Sequence, residues 1–280
     1  MTVLTESTRL VARQVRTLAY EVDEPPALAM RLAVLLGYPP NVDHVVAMSS
    51  GRATFETVAF AADVDAVVRI DQVQQPDLGV LRALYDLPVD QRLVQVVTVE
   101  SPWVWCSGQQ VHSKPVRVRR RAFADVAQAA PLLGVEVELV ADGTPTAVML
   151  QGVADGSRSV ILDRDEVPAG LHRHDLGPAA DLSFGLISRL WTDHADYHWL
   201  ALRPAAESVG TLASALQIIA THGVDLDFLM SDALDDASHR FFVGFGDVGQ
   251  EAADQLVSDL GAAGVGVRFL ASIATATAGT

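Results

Sequence analysis

The sequence predicts an α/β protein whose C-terminal quarter is a ferredoxin-like βαββαβ unit, and three observations carry this. Strand-like runs alternate with helical runs of about ten residues as far as Val153, the pattern of an α/β layer structure. Among them Asp65-Ala66-Val67-Val68-Arg69-Ile70 is almost continuously apolar, as buried parallel strands are. From Tyr197 onward the periodicity runs strand, helix, strand, strand, helix, strand, the split βαβ arrangement.

Residues 1–15 read as an arm without informative chemistry. A strand over 17–20 is followed by an acidic turn, Glu21-Val22-Asp23-Glu24-Pro25-Pro26. Apolar spacing predicts a helix over 27–36 that stops at Gly37, a strand over 44–48, and a helix over 53–62 after Ser49-Ser50-Gly51. A strand over 65–70, a helix over 78–85 and a strand over 93–99 follow. Val116-Arg117-Val118 is a further strand, and Arg119-Arg120-Arg121 leads into a helix over 123–133. An alternating strand over 135–140 precedes Asp142-Gly143-Thr144-Pro145-Thr146-Ala147, which opens a helical segment reaching Val153. Strands over 159–162 and 185–190 complete this part, and His194-Ala195-Asp196 marks a boundary. The expected division is an arm (1–15), a two-lobed domain (16–193) and a C-terminal domain (194–280).

In that last domain Tyr197-His198-Trp199-Leu200-Ala201-Leu202 alternates as a strand. Leu212, Leu216, Ile219 and Ala220 give a helix over 209–222, closed by Gly223. Strands over 224–229 and 239–245, a helix over 250–260 and a strand over 265–270 finish the chain.

With 280 residues, half of them apolar, there is room for two or three cores. The net charge of −15 argues against a general nucleic-acid binder and against docking on an anionic membrane. Cys106 is the only cysteine, so intramolecular disulfides and cysteine-rich metal sites are excluded. It lies in the apolar run Trp103-Val104-Trp105-Cys106 and reads as a small buried hydrophobe rather than a nucleophile. No apolar segment is long enough to span a bilayer, and Glu6, Arg9 and Arg13 interrupt any secretory apolar core. The expected address is cytoplasmic. His112, His194 and His198 lack partners for a metal site, and His172 and His174 read as loop residues.

Gly210-Thr211-Leu212, Asp225-Leu226 and Phe241-Phe242-Val243 resemble the ACT domain that ends the prephenate dehydratases. The resemblance implies that Gly210, Thr211, Leu212, Asp225 and Leu226 help hold a regulatory amino acid between subunits of a homodimer or higher homo-oligomer. A ferredoxin-like module without a ligand has the same strand order. The family's Glu-Ser-Arg-Pro falls at Met230-Ser231-Asp232-Ala233.

Upstream, Thr144-Pro145-Thr146-Ala147 resembles the family's Ser-Thr-Ala step at a helix start. Thr146 takes the threonine position as a catalytic candidate, with Thr144 a substrate-binding one. A hydroxyl at a helix N-terminus favours a bound carboxylate, although Thr146 could equally be an N-cap. Asp71-Gln72, after the strand over 65–70, resembles the family's Glu-Asn and adds Asp71 and Gln72 as substrate-binding candidates; the alternative is polar strand termination. Arg119, Arg120 and Arg121 fall near the family's His-Pro-Gln-Ala-Leu helix start and are candidate carboxylate binders. The alternative is a solvated basic edge, and since Arg117 and Arg119 share a strand face, not all four arginines can enter one cleft.

Two motifs depart. The family's glycine-rich first turn corresponds to Glu21 through Ala27, with no glycine and three added carboxylates. Its Thr-Arg-Phe corresponds to Leu182-Ser183-Phe184, leaving Ser183 as the polar candidate for catalysis. The family plan implies a cofactor-free two-lobed lyase of the periplasmic-binding-protein type acting on a small anion, prephenate or a close analogue. It would decarboxylate with or without loss of water, in aromatic amino acid or derived natural-product biosynthesis. The missing Thr-Arg-Phe favours the non-aromatising decarboxylases, whereas the missing glycine turn does not. The alternative is a catalytically silent, ACT-bearing sensor or partner subunit.

Overall fold

The computed structural model describes residues 16–21, 26–38, 44–70, 72–108, 115–127, 129, 132, 134–177, 181–191, 194–204, 210–234 and 238–274. The chain divides into two units, Met1–Val97 with Ser183–Thr280, and Thr98–Leu182. The first begins with β1 (Thr17–Glu21), α1 (Pro26–Leu35), β2 (Val45–Met48), α2 (Gly51–Phe60), β3 (Val64–Ile70), α3 (Leu78–Asp86) and β4 (Arg92–Val99). The second contains β5 (Trp103–Ser107), β6 (Val116–Arg119), α4 (Arg120–Val126), β7 (Val137–Val140), α5 (Thr146–Met149), β8 (Ser159–Asp163) and β9 (His172–His174). The chain then returns through β10 (Leu182–Ser188) to β11 (Tyr197–Pro204), α6 (Thr211–Thr221), β12 (Phe228–Ala233), β13 (His239–Phe245), α7 (Gln250–Ala262) and β14 (Val265–Ala274).

Each unit's sheet is built alike. In the first, β1 lies parallel between β2 and β3, and β10 joins β3 antiparallel. In the second, β6 lies parallel between β7 and β8, and β5 joins β8 antiparallel. The topology thus repeats where the sequence shows no repeat. β3 is buried on both faces, as its apolar run requires, and its one buried carboxylate, Asp65, accepts from Arg16 at 2.8 Å and from the Tyr38 hydroxyl. Such pairing is what makes burial of that charge tolerable.

The C-terminal strands lie in the order β12-β13-β11-β14, the ferredoxin-like order, and both faces of β11 are covered. Leu200 and Leu202 pack under α6 and α7 with Ile219, Leu256 and Leu260. Trp199 and Ala201 face the other way, into the core shared with Leu81 and Leu84 of α3. β14 pairs parallel with β4, giving one nine-stranded sheet, and this extends β14 to Ala274, beyond the expected end at 270. Gly244 is necessary beside β12, because a Cβ there would lie 2.0 Å from the Phe228 ring.

Arginines fasten this part to α3. Asp232, 2% exposed, accepts from Arg82 at 2.5 and 3.0 Å and from Arg240 at 2.6 and 2.8 Å. The Arg240 guanidinium stacks 4.2 Å over the Tyr85 ring. Arg268 donates to the carbonyls of Tyr85, Leu87 and Pro88; the first is one that the end of α3 leaves without an intrahelical partner, and the other two belong to the turn that follows.

Other elements differ from expectation as well. The second ferredoxin-like strand is Phe228–Ala233 rather than 224–229, with Val224 and Leu226 packing as a loop beneath the helices. The helix expected over 123–133 is Arg120–Val126. His172–His174 forms an edge strand, pairing with β5, instead of a loop.

Candidate functional site

In the second unit the parallel register sets Arg119 opposite Val140, at the C-terminal edge of β6 and β7, where α/β sheets hold ligands. The turn after β7 then delivers Thr144 and Thr146. The Arg119 guanidinium donates to the Thr144 carbonyl from Nε (3.2 Å) and Nη2 (3.0 Å), and to the Thr146 hydroxyl from Nη2 (3.2 Å). Its fork also holds Glu166, at 2.6 Å from Nη1 and 3.2 Å from Nη2. The Thr146 hydroxyl donates to the same carboxylate at 2.7 Å. Burial alone would raise the Glu166 pKa, but hydrogen bonds from Arg119 and Thr146 and the Arg119 charge outweigh it and hold the group below its ordinary value.

The N-cap of α5 is Pro145, without a side-chain cap bond, so the Thr146 hydroxyl is not a cap and is directed at Glu166. A helix of four residues also contributes little dipole, leaving the hydroxyl and the guanidinium as the anion-binding groups. Of the arginine run it is Arg119 that holds this cluster. Arg120 is exposed at the start of α4, and the Arg121 backbone N–H donates to Asp142. Arg117 shares the Arg119 face, as strand alternation requires, and donates to the carbonyls of Val148, Met149 and Gln151. It therefore fixes α5. Sequence reasoning missed Glu166. The readable signal was the Asp163-Arg164-Asp165-Glu166 turn, in which Asp163 caps the 3₁₀ turn Arg164–Glu166.

In the first unit Ser183 lies on β10 opposite Ile70, half-buried between the buried Leu182 and Phe184. Gln72 is exposed just beyond β3, and Asp71 lies outside the described residues. Gly210 caps α6 in the left-handed region at φ 98°, a conformation that glycine adopts without strain. Thr211 and Leu212 are half-buried, Asp225 is exposed and Leu226 is half-buried. The five residues implied as a regulatory set thus flank the two ends of α6.

Cys106 is fully buried and desolvation pushes its thiol up to about 11. It is therefore protonated and shielded at neutral pH. A disulfide thiol reagent is expected to label no cysteine in the native protein at pH 8 and one after denaturation; rapid native labelling would contradict the burial. Ser107 and His174 Nε2 lie 2.8 Å apart across β5 and β9, with Ser107 buried. Among the described residues no group of three His, Cys, Asp or Glu could hold a metal ion, and no helix is long and apolar enough to cross a membrane.

No protein-family model and no curated protein sequence matches the chain. Solved structures do. A prephenate dehydratase from Staphylococcus aureus subsp. aureus Mu50 aligns with TM-score 0.63 and 17% identity, over 92% of this chain and 99% of its own. The prephenate dehydratase from Arthrobacter aurescens, solved in complex with L-Phe, gives 0.61 and 19%, over 93% and 90%. GqqA, described as a novel type of quorum quenching acylase, gives 0.59 and 16%, over 94% and 99%. At such identities the likeness concerns fold, and one fold serves more than one chemistry. The chain has the prephenate dehydratase fold, carried by a strongly diverged sequence.

Proposed function

We propose that the protein is a lyase acting on prephenate or a close analogue, by decarboxylation with or without loss of water. The observation that carries the reading is the Thr146–Arg119 pair, a hydroxyl and a guanidinium 3.2 Å apart at the C-terminal edge of parallel strands. A guanidinium binds a carboxylate with charge-assisted hydrogen bonds, and an adjacent hydroxyl can donate to developing charge. Loss of carbon dioxide leaves an electron pair on the ring. In the dehydratase reaction that pair expels the ring hydroxyl, which takes a proton and leaves as water. In the non-aromatising reaction the ring takes up the proton instead.

Within this reading residues 16–193 are the two-lobed catalytic domain, and 194–280 an ACT module that pairs with its copy in a homodimer. Gly210, Thr211, Leu212, Asp225 and Leu226 would contact an amino-acid effector, a role suggested by the L-Phe in the Arthrobacter protein. Ser183 and Gln72, both on or beside strands of the first unit, are proposed as its contributions to substrate binding.

The second reading is a catalytically silent sensor. The observation favouring it is that Arg119 is already paired with a carboxylate of its own chain. Turnover separates the readings. Carbon dioxide with an aromatic chromophore marks a dehydratase, and carbon dioxide without one marks a non-aromatising decarboxylase. Neither product, with a melting temperature raised by phenylalanine or prephenate, marks the sensor.

A further inference from the structure

We infer that Glu166 is an internal carboxylate that occupies the anion-binding groups of the Thr146–Arg119 site and must be displaced by an incoming ligand. The inference rests on the reading of that pair as substrate-binding. Both Glu166 oxygens lie on the Arg119 fork, at 2.6 and 3.2 Å, and one of them also accepts from the Thr146 hydroxyl at 2.7 Å. This is the two-point geometry that a ligand carboxylate would need.

The donors are nearly exhausted. The Nε hydrogen goes to Thr144, and the two on Nη2 are shared among Thr144, Thr146 and Glu166. One Nη1 hydrogen goes to Glu166. Among the described residues a single Nη1 hydrogen is left for any outside anion. Charge tells the same way, since Arg119 and Glu166 cancel and the pair presents no net cation.

The carboxylate is also placed to leave. Glu166 ends a single 3₁₀ turn, Arg164–Glu166, between β8 and β9, and its side chain is 33% exposed against 14% for Arg119. Released, it reaches water, whereas Arg119 stays anchored by the Thr144 carbonyl. Glu166 is thus a specificity-determining residue. It screens out anions that cannot replace a bidentate carboxylate, and it lowers affinity for those that can.

Calorimetric titration of the full chain with malonate tests this. Glu166→Gln keeps an acceptor for Thr146 but removes the competing charge. It is expected to tighten malonate binding about two- to fivefold, the scale of one partly screened charge pair. Arg119→Gln added to Glu166→Gln is expected to abolish the gain. Glu166→Asp, with a shorter reach, is expected to fall between wild type and Glu166→Gln. Malonate affinity unchanged or weakened in Glu166→Gln, or a gain that survives loss of Arg119, overturns the inference. A gain through Arg119 in a protein that leaves prephenate unreacted upholds the inference and removes the enzymatic reading. Prephenate turnover with no gain in Glu166→Gln does the reverse.

Discussion

Replacing Asp232 with alanine is expected to destabilise the first unit by about 3–5 kcal/mol, the range for removing one partner of a buried ion pair. The reason is what remains. The Arg240 side chain is 9% exposed, and without Asp232 its charge is left stacked on Tyr85 and Phe242 among the described residues. Arg82 is half-exposed, so its arm of the triad is screened, and Arg82→Ala is expected to cost far less. Asp232→Asn keeps an acceptor and is expected to fall between the two. Hydrogen bonds from Arg82 and Arg240 hold the Asp232 carboxyl below its ordinary value despite burial. Its stabilisation is therefore fully present above the unfolded pKa of about 3.9 and fades as pH falls through the lower folded value. Chemical denaturation from pH 7 to pH 3 should show wild type converging on Asp232→Asn at the acid end. Equal stability of the two at pH 7 would contradict the account.

The same residue shows where sequence reading stopped. β12 carries a carboxylate on its inward face, so its alternation does not look like a half-buried strand. Val224, Leu226 and Phe228 offer a cleaner pattern four residues early, but the first two cover the helices as a loop. β3 was legible from its nearly continuous apolar run and β11 from its alternation, and β3 lies parallel to β1 in the first unit's core. α4 ends at Val126, seven residues before the end that apolar spacing alone predicts. At the site, Thr146 stood out through its motif and Arg119 through its charge. Glu166 lies 47 residues from Arg119 and 20 from Thr146, and only the fold brings them together.

Thr146→Ala carries the largest expected effect on activity. The hydroxyl makes two of the cluster's hydrogen bonds, yet Arg119 and Glu166 remain paired without it. Stability is expected to change by about 1 kcal/mol. Loss of a donor aimed at developing charge costs about 10²–10³ in turnover, so the variant should be folded and nearly inactive. Thr146→Ser keeps the oxygen and is expected to retain most activity. The most direct test of the central claim is the rate of carbon dioxide release from prephenate by wild type, Thr146→Ser and Thr146→Ala at equal folded concentration. Catalytic release by the first two and almost none by the third is the predicted result. No release by wild type, or release by Thr146→Ala at the wild-type rate, would contradict it.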